Sequence, residues 1–136
     1  MDLSIVIVSW NVRELLEACL RSIHASLEQG RISGKGELGC EIIVVDSASR
    51  DGSPQMVRQR FPNVRLFAQE ENIGFVRGSN LGIRESRGRY VLLLNPDTEI
   101  VGQALAEMVT YMDAHPDVGI VGPRLLYPDG RVQPSR

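Results

Sequence analysis

Basic residues hold no excess in this chain. Its 15 Lys and Arg stand against 17 Asp and Glu, for a net charge of −2, and they are dispersed rather than gathered into blocks. A surface that tracks a nucleic-acid backbone needs a cationic stripe, so nucleic acid is excluded as a partner. Cysteine is scarce. Cys19 and Cys40 form no C-x-x-C pair and lie among apolar neighbours, which indicates ordinary buried thiols and a reducing, cytoplasmic setting. No apolar stretch approaches the roughly 20 residues of a membrane-crossing helix. The amino terminus, Met1-Asp2-Leu3-Ser4-Ile5-Val6-Ile7-Val8, has no basic segment and too short an apolar run for a secretory signal. Repeats and low-complexity tracts are also missing. Gly30, Gly34, Gly36 and Gly39 lack the G-x-x-x-x-G-K-[ST] spacing and precede a strand where a phosphate loop would follow one, so they mark a flexible connection.

What remains is one ordinary domain of 136 residues, enough to bury a core without disulfides or structural metal. Apolar runs alternate with helical patterns, the signature of a mostly parallel sheet flanked by helices. Strands are expected over residues 3–9, 41–46, 64–67, 90–94 and 118–121. Asn11, with Glu14 three residues on, reads as an N-cap; Val12, Leu15, Leu16, Cys19, Leu20, Ile23 and Leu27 follow at helical spacing. A short helix follows Pro54, another runs from the 72–80 segment to about residue 87, and a third spans 103–115 with Ala104, Leu105, Met108, Val109 and Met112 inward. Pro128-Asp129-Gly130 signals a small terminal hairpin. The run Tyr90-Val91-Leu92-Leu93-Leu94 suits a strand buried on both faces, and it stops abruptly at Asn95-Pro96-Asp97-Thr98-Glu99.

Three polar clusters fall at predicted strand ends: Ser9-Trp10-Asn11, Asp46-Ser47 and Asn95-Pro96-Asp97. In a parallel sheet those ends lie side by side, so distant residues converge on one crevice, where α/β sheets place ligands. A nucleotide diphosphate fits such a crevice: Asp46 accepting from a base or ribose, Trp10 lending apolar surface, Asp97 holding a divalent cation against phosphate oxygens. Each residue also has a plain structural reading. Asp46 and Ser47 make a turn or cap, Trp10 fills space, and Asn95-Pro96-Asp97-Thr98 is a good β-turn. Gly74 and Gly78 bring backbone close to a ligand or to the neighbouring strand, and Arg77 meets phosphate or solvent. His24 and His115 have no second ligand at metal spacing and read as structural.

These residues resemble a known family, the nucleotide-binding half of the GT-A glycosyltransferases of family 2, particularly the rhamnosyltransferase-like branch. Residues 4–11 are similar to its opening strand and base-contacting turn. Ile43-Val44-Val45-Asp46-Ser47-Ala48-Ser49-Arg50-Asp51-Gly52-Ser53 is similar to its V-D-x-x-S-x-D-G-S segment, Asn72-Ile73-Gly74-Phe75-Val76-Arg77-Gly78-Ser79-Asn80 to its N-x-G-F-x-x-G-x-N segment, and residues 92–98 to the strand and turn of its D-x-D element. The four motifs stand in the family's order, and the resemblance covers essentially the whole chain. Two departures stand out: Asn95 takes the first acidic position of D-x-D, leaving Asp97 alone, and Ser79 stands where many relatives carry a basic residue.

The resemblance implies a GT-A, Rossmann-like α/β sandwich and a single nucleotide-sugar-binding domain over residues 1–136. Its donor would be dTDP-rhamnose or a UDP-sugar, bound with Mg²⁺ or Mn²⁺ on Asp97, for inverting transfer to a saccharide or lipid-linked acceptor in cell-wall polysaccharide synthesis. Ser9, Trp10, Asn11, Asp46, Ser47, Asn72, Gly74, Arg77, Gly78, Asn80, Asn95 and Asp97 are the implied donor-binding residues. The family's catalytic base belongs to an acceptor-side half expected beyond the terminal hairpin, and Glu99 has no motif behind it. Apolar surface meant for that half leaves room for a homodimer, and a cytoplasmic protein peripheral to the inner membrane face is expected. The alternative is a non-catalytic nucleotide-binding or assembly module. A nucleotidyltransferase is disfavoured, because Ser9-Trp10-Asn11 replaces its glycine-rich, basic loop.

Overall fold

Four parallel strands in the order β3-β2-β1-β4 organise the chain: β1 (Leu3–Ser9), β2 (Cys40–Asp46), β3 (Arg65–Ala68) and β4 (Tyr90–Leu93). The computed structural model describes residues 1–32, 37–122, 126–127 and 129–133, with the side chains of residues 31 and 32 excepted. Four helices complete it: α1 (Arg13–Ile32), α2 (Ser53–Arg60), α3 (Gly74–Glu85) and α4 (Ala104–Ala114).

Alternation along the strands sorts the core into two layers. Leu3, Ile5 and Ile7 of β1 and Ile42 and Val44 of β2 pack with Leu16, Leu20 and Ile23 of α1, Val57 of α2 and Leu105 of α4. Val6, Ile43 and Val45 face the other way, in a smaller cluster with Val8, Phe67, Ile73 and Leu81. The helix α3 covers that face at close range. A Cβ on Gly82 would lie 2.2 Å from Val6 Cγ1, and one on Gly78 2.8 Å from Val8 Cγ1, so glycine at both positions lets helix and sheet meet.

Four expectations are corrected. The run at residues 90–94 is not buried on both faces: α3 packs on β1 and β2, and Val91 and Leu93 on the same face of β4 stay exposed. Residues 118–121 form no strand, and Ile120 is 92% exposed; they lie near β4 without entering its ladder. Gly30 lies inside α1 rather than in a loop; Gly34 and Gly36 lie outside the described residues. Asn11 does not cap α1: it takes a left-handed φ of 51°, and the first helical carbonyl is that of Val12, bonded by Leu16 N–H at 2.8 Å. Asparagine tolerates that backbone region, so the same residue suits a turn as well as a cap. The terminal hairpin is present, with an antiparallel bridge between Leu126 and Val132.

Sequence reading missed a polar cluster at the amino ends of the strands. Glu41, set in the apolar run of β2, accepts from Ser4 Oγ at 2.6 Å, Arg87 N–H at 2.6 Å and Arg65 Nη1 at 2.9 Å. Burial raises its pKa, but these donors outweigh burial and hold the carboxylate below its ordinary value. The cluster closes the turn from α3 to β4 at the end of the sheet opposite Ser9 and Asp46.

Candidate functional site

The site is built on the carboxyl ends of β1 and β2, which finish level, Ser9 paired with Asp46. Both side chains are buried on the α1 side of the sheet. Asp46 Oδ2 accepts from Ser49 N–H at 2.9 Å, while Asp46 Oδ1 and Ser9 Oγ have no partner among the described residues. A buried carboxylate oxygen without a donor is costly, so its native counterpart is a ligand or water. Trp10 follows on the turn, 54% exposed, its ring packed into no core cluster.

Ser47 points to the opposite face and holds α3 in place. Its hydroxyl donates to Asn72 Oδ1 at 2.8 Å and accepts from Ile73 N–H at 2.8 Å and Gly74 N–H at 3.3 Å. Gly74 N–H also reaches Asn72 Oδ1 at 3.0 Å, and Gly74 has a φ of 78°, a conformation suited to glycine. The first turn of α3 has no acidic residue, so no carboxylate of its own offsets the positive end of the helix dipole. Arg77 is exposed there and makes no ion pair among the described residues; Asn80 is exposed one turn on.

The register of β4 with β1 ends at Leu93 opposite Val6, and Leu94 N–H still donates to Val6 O at 2.9 Å. The chain then turns: Asn95 O accepts from Thr98 N–H at 3.2 Å and Thr98 Oγ1 at 2.7 Å. Ser22 of α1 fastens the segment by accepting from Ile100 N–H at 2.8 Å. Asn95 and Asp97 are exposed. Beneath them the Cys19 thiol is pushed up to about 12 by burial, with Glu99 and Asp97 adding negative potential. Among the described residues no three His, Cys, Asp or Glu side chains gather to hold a metal. A lone Asp97 therefore forms no closed cage, but it fits the way Mg²⁺ is held on nucleotides, through one or two carboxylates with phosphate oxygens completing the shell.

The expected site residues thus divide. Asp46 Oδ1, Ser9 Oγ, Trp10, Arg77, Asn80 and Asp97 have groups uncommitted to the fold. Asn11, Ser47 and Asn72 spend their polar atoms on the fold, Asn11 Oδ1 accepting from Arg50 N–H at 2.8 Å, and Gly78 packs against Val8. Ser49 and Asp51 were missed as organisers of the strand-end loops, although both lie within the quoted D-x-x-S-x-D-G-S segment. His24 Nδ1 pairs with Leu20 O, and the His115 ring stacks on Tyr111 at 4.1 Å.

This sheet order, with polar loops at the carboxyl ends, is a Rossmann-like α/β sandwich, and superposition on solved structures places it in the GT-A glycosyltransferase fold class. The mannosyltransferase PcManGT of Pyrobaculum calidifontis, solved with GDP-Man and Mn²⁺, superposes with a TM-score of 0.71 at 27% identity over 87% of this chain and 34% of that one. TarS 1-349 of S. aureus, solved with UDP, gives 0.72 at 20% identity over 96% and 43%, a likeness of fold alone. Residues 4–136 match the profile described as Glycosyl transferase family 2, and the chain belongs to that family. It is 28% identical, over 98% of its length, to the N-acetylglucosaminyl-diphospho-decaprenol L-rhamnosyltransferase of Mycobacterium tuberculosis, and spans 44% of that relative. The succinoglycan biosynthesis protein ExoO of Rhizobium meliloti is 30% identical over 83% of the chain and 30% of its own length. The family resemblance and the fold class read from the sequence are both borne out. No helix among the described residues is long and apolar enough to cross a membrane.

Proposed function

We propose that this chain binds the nucleotide-diphosphate sugar donor of an inverting glycosyl transfer, dTDP-rhamnose or a UDP-sugar, and serves transfer to a saccharide or lipid-linked acceptor. The observation that carries the reading is Asp46 Oδ1, buried and unpartnered among the described residues, beside the equally unpartnered Ser9 Oγ at the strand ends that lead into exposed Trp10. Asp46 accepts a hydrogen bond from the base or ribose, and Trp10 offers its ring as apolar cover. The positive end of α3 with exposed Arg77, and Asn80 one turn on, line the nucleotide. Ser47, Asn72 and Gly74 hold that helix end in place, and Asn11 shapes the turn of Trp10.

Asp97 would hold Mg²⁺ or Mn²⁺, which would supply charge neutralisation to a leaving diphosphate. The solved relative with GDP-Man and Mn²⁺ supports a divalent ion in this fold. An inverting transfer also needs a carboxylate to deprotonate the acceptor hydroxyl, and we assign that role to none of the residues gathered here. The chain's part is to bind and orient the donor.

Calorimetric titration with UDP and dTDP, each with and without Mn²⁺, tests the reading. Binding that needs the metal and falls at least tenfold in Asp97→Ala is expected, and the preferred base narrows the donor. Equal binding with and without Mn²⁺ in both proteins removes the metal role from Asp97. No binding to either nucleotide overturns the donor site.

A further inference from the structure

We propose that Asp51 is a positioning residue for the donor site, fastening the turn that carries Trp10 to the loop behind Asp46; the inference rests on the donor reading above. The loops following β1 and β2 are laced together rung by rung. Ser47 N–H donates to Ser9 O at 2.9 Å, Asn11 N–H to Ser49 Oγ at 2.9 Å, Arg50 N–H to Asn11 Oδ1 at 2.8 Å, and Arg13 N–H to Asp51 Oδ2 at 2.9 Å. Arg13 Nη1 adds a long contact to Asp51 O at 3.4 Å.

Asp51 closes this ladder with both oxygens. While Oδ2 satisfies the first amide of α1, Oδ1 accepts from Ser53 N–H at 3.0 Å and Ser53 Oγ at 2.6 Å at the start of α2. One carboxylate therefore caps two helices whose preceding loops flank Ser9 and Asp46. Partial burial raises its pKa, and the bonds from Ser53 and Arg13 outweigh that, keeping it ionised and able to accept from both sides.

The turn needs such a fastening. Asn11 sits at φ 51° and Ala48, in the facing loop, at φ 62°, both in the left-handed region that side chains resist. Trp10, between Ser9 and Asn11, is more than half exposed and is held through its backbone neighbours. Gly52, at φ 85°, carries the chain from Asp51 into α2, and a Cβ there would come 3.2 Å from Arg13 Nη1, so the junction is closely fitted. Removing the Asp51 carboxylate strips α1 of its cap and frees the far side of Asn11. The backbone that carries Trp10 then no longer holds a single conformation for a nucleotide to meet.

Trp10 is the only tryptophan, so its fluorescence anisotropy decay reports this turn directly. The test compares wild type, Asp51→Ala and Asp51→Asn, with Glu41→Gln at the opposite end of the sheet as a destabilised control. UDP and dTDP with Mn²⁺ are titrated into each. Asp51→Ala is expected to add a fast component to the Trp10 decay and to weaken nucleotide binding tenfold or more. Asp51→Asn keeps one carbonyl acceptor and is expected to fall between. Glu41→Gln should change neither readout. An Asp51→Ala protein with wild-type decay, or with a freed Trp10 but unchanged affinity, overturns the proposal. So does a Glu41→Gln protein altered as much as Asp51→Ala, which would make the effect one of general stability. If wild type binds neither nucleotide, the donor reading fails and the purpose given to Asp51 with it, while the decay still shows whether the carboxylate holds the turn.

Discussion

Gly82→Ala sets two opposed effects against each other. Alanine in a helix interior is favoured over glycine by about 1 kcal/mol, so propensity alone predicts a more stable protein. The structure predicts the reverse, because the new Cβ would lie 2.2 Å from Val6 Cγ1 and 3.2 Å from both Val6 Cβ and Cγ2. Carbon atoms pack at roughly 3.5–4.0 Å, so more than about 1.3 Å must be found. Turning Val6 about χ1 does not supply it, since Cβ itself is in the way. Val6 cannot retreat either: it is 1% exposed on β1, which pairs with β2 on one side and β4 on the other. Hence α3 must lift, and overpacking of this kind costs about 1–3 kcal/mol or more. With so close a contact we expect the upper end, for a net loss of about 2 kcal/mol after the propensity gain. Urea unfolding followed by circular dichroism measures it. Val6→Ala removes both offending methyls, so the double variant should be about 1–3 kcal/mol more stable than the two single losses added together. A Gly82→Ala protein as stable as wild type, or additive losses in the double variant, would refute the close approach of α3 to β1.

Two further predictions concern charge and reactivity. The Glu41 carboxyl is held below its unfolded value, so its stabilisation is fully present above the ordinary carboxylate range and is lost as pH falls through the folded value. Glu41→Gln should therefore cost about 1.5–3 kcal/mol at pH 7, with the gap to wild type closing in acid; a gap independent of pH would count against the cluster. Both cysteine thiols are pushed up to about 12, chiefly by burial. At pH 8 the thiolate fraction is then on the order of one in ten thousand, so a disulfide reagent should label neither cysteine quickly until urea unfolds the chain.

The parts of the fold most legible in the sequence were those determined by both of their surroundings. The strands β1 and β2 are apolar on both faces because helices cover both, and α1 carries an unbroken stripe from Leu16 to Leu27. The apolar run of β4 located that strand correctly but could not say whether a helix covered both of its faces, and here Val91 and Leu93 stay exposed beside α3. Residues 118–121 show that a short apolar run alone does not make a strand, since they stay outside the ladder even beside the open edge of β4. At the site, strand-end placement was enough to single out Ser9, Asp46 and the Asn95-to-Asp97 turn. It could not separate residues that offer free groups from those that build the loops. Asn11 illustrates this, since asparagine followed three residues later by glutamate reads as a cap until the distant Asp51 is seen to hold Arg13 N–H. Glu41 was invisible because its partners, Ser4, Arg65 and Arg87, come together only in the folded chain.

Amide NMR with Mn²⁺ and UDP or dTDP tests the central claim most directly, since the paramagnetic ion broadens signals near it without any substitution. The donor-site account predicts that nucleotide and Mn²⁺ together broaden Trp10, residues 46–49, the first turn of α3 and residues 95–97, and spare Ser4, Glu41 and Gly88 at the other end of the sheet. Broadening confined to the cleft between β4 and α4, or spread evenly over exposed carboxylates with no dependence on nucleotide, would contradict it.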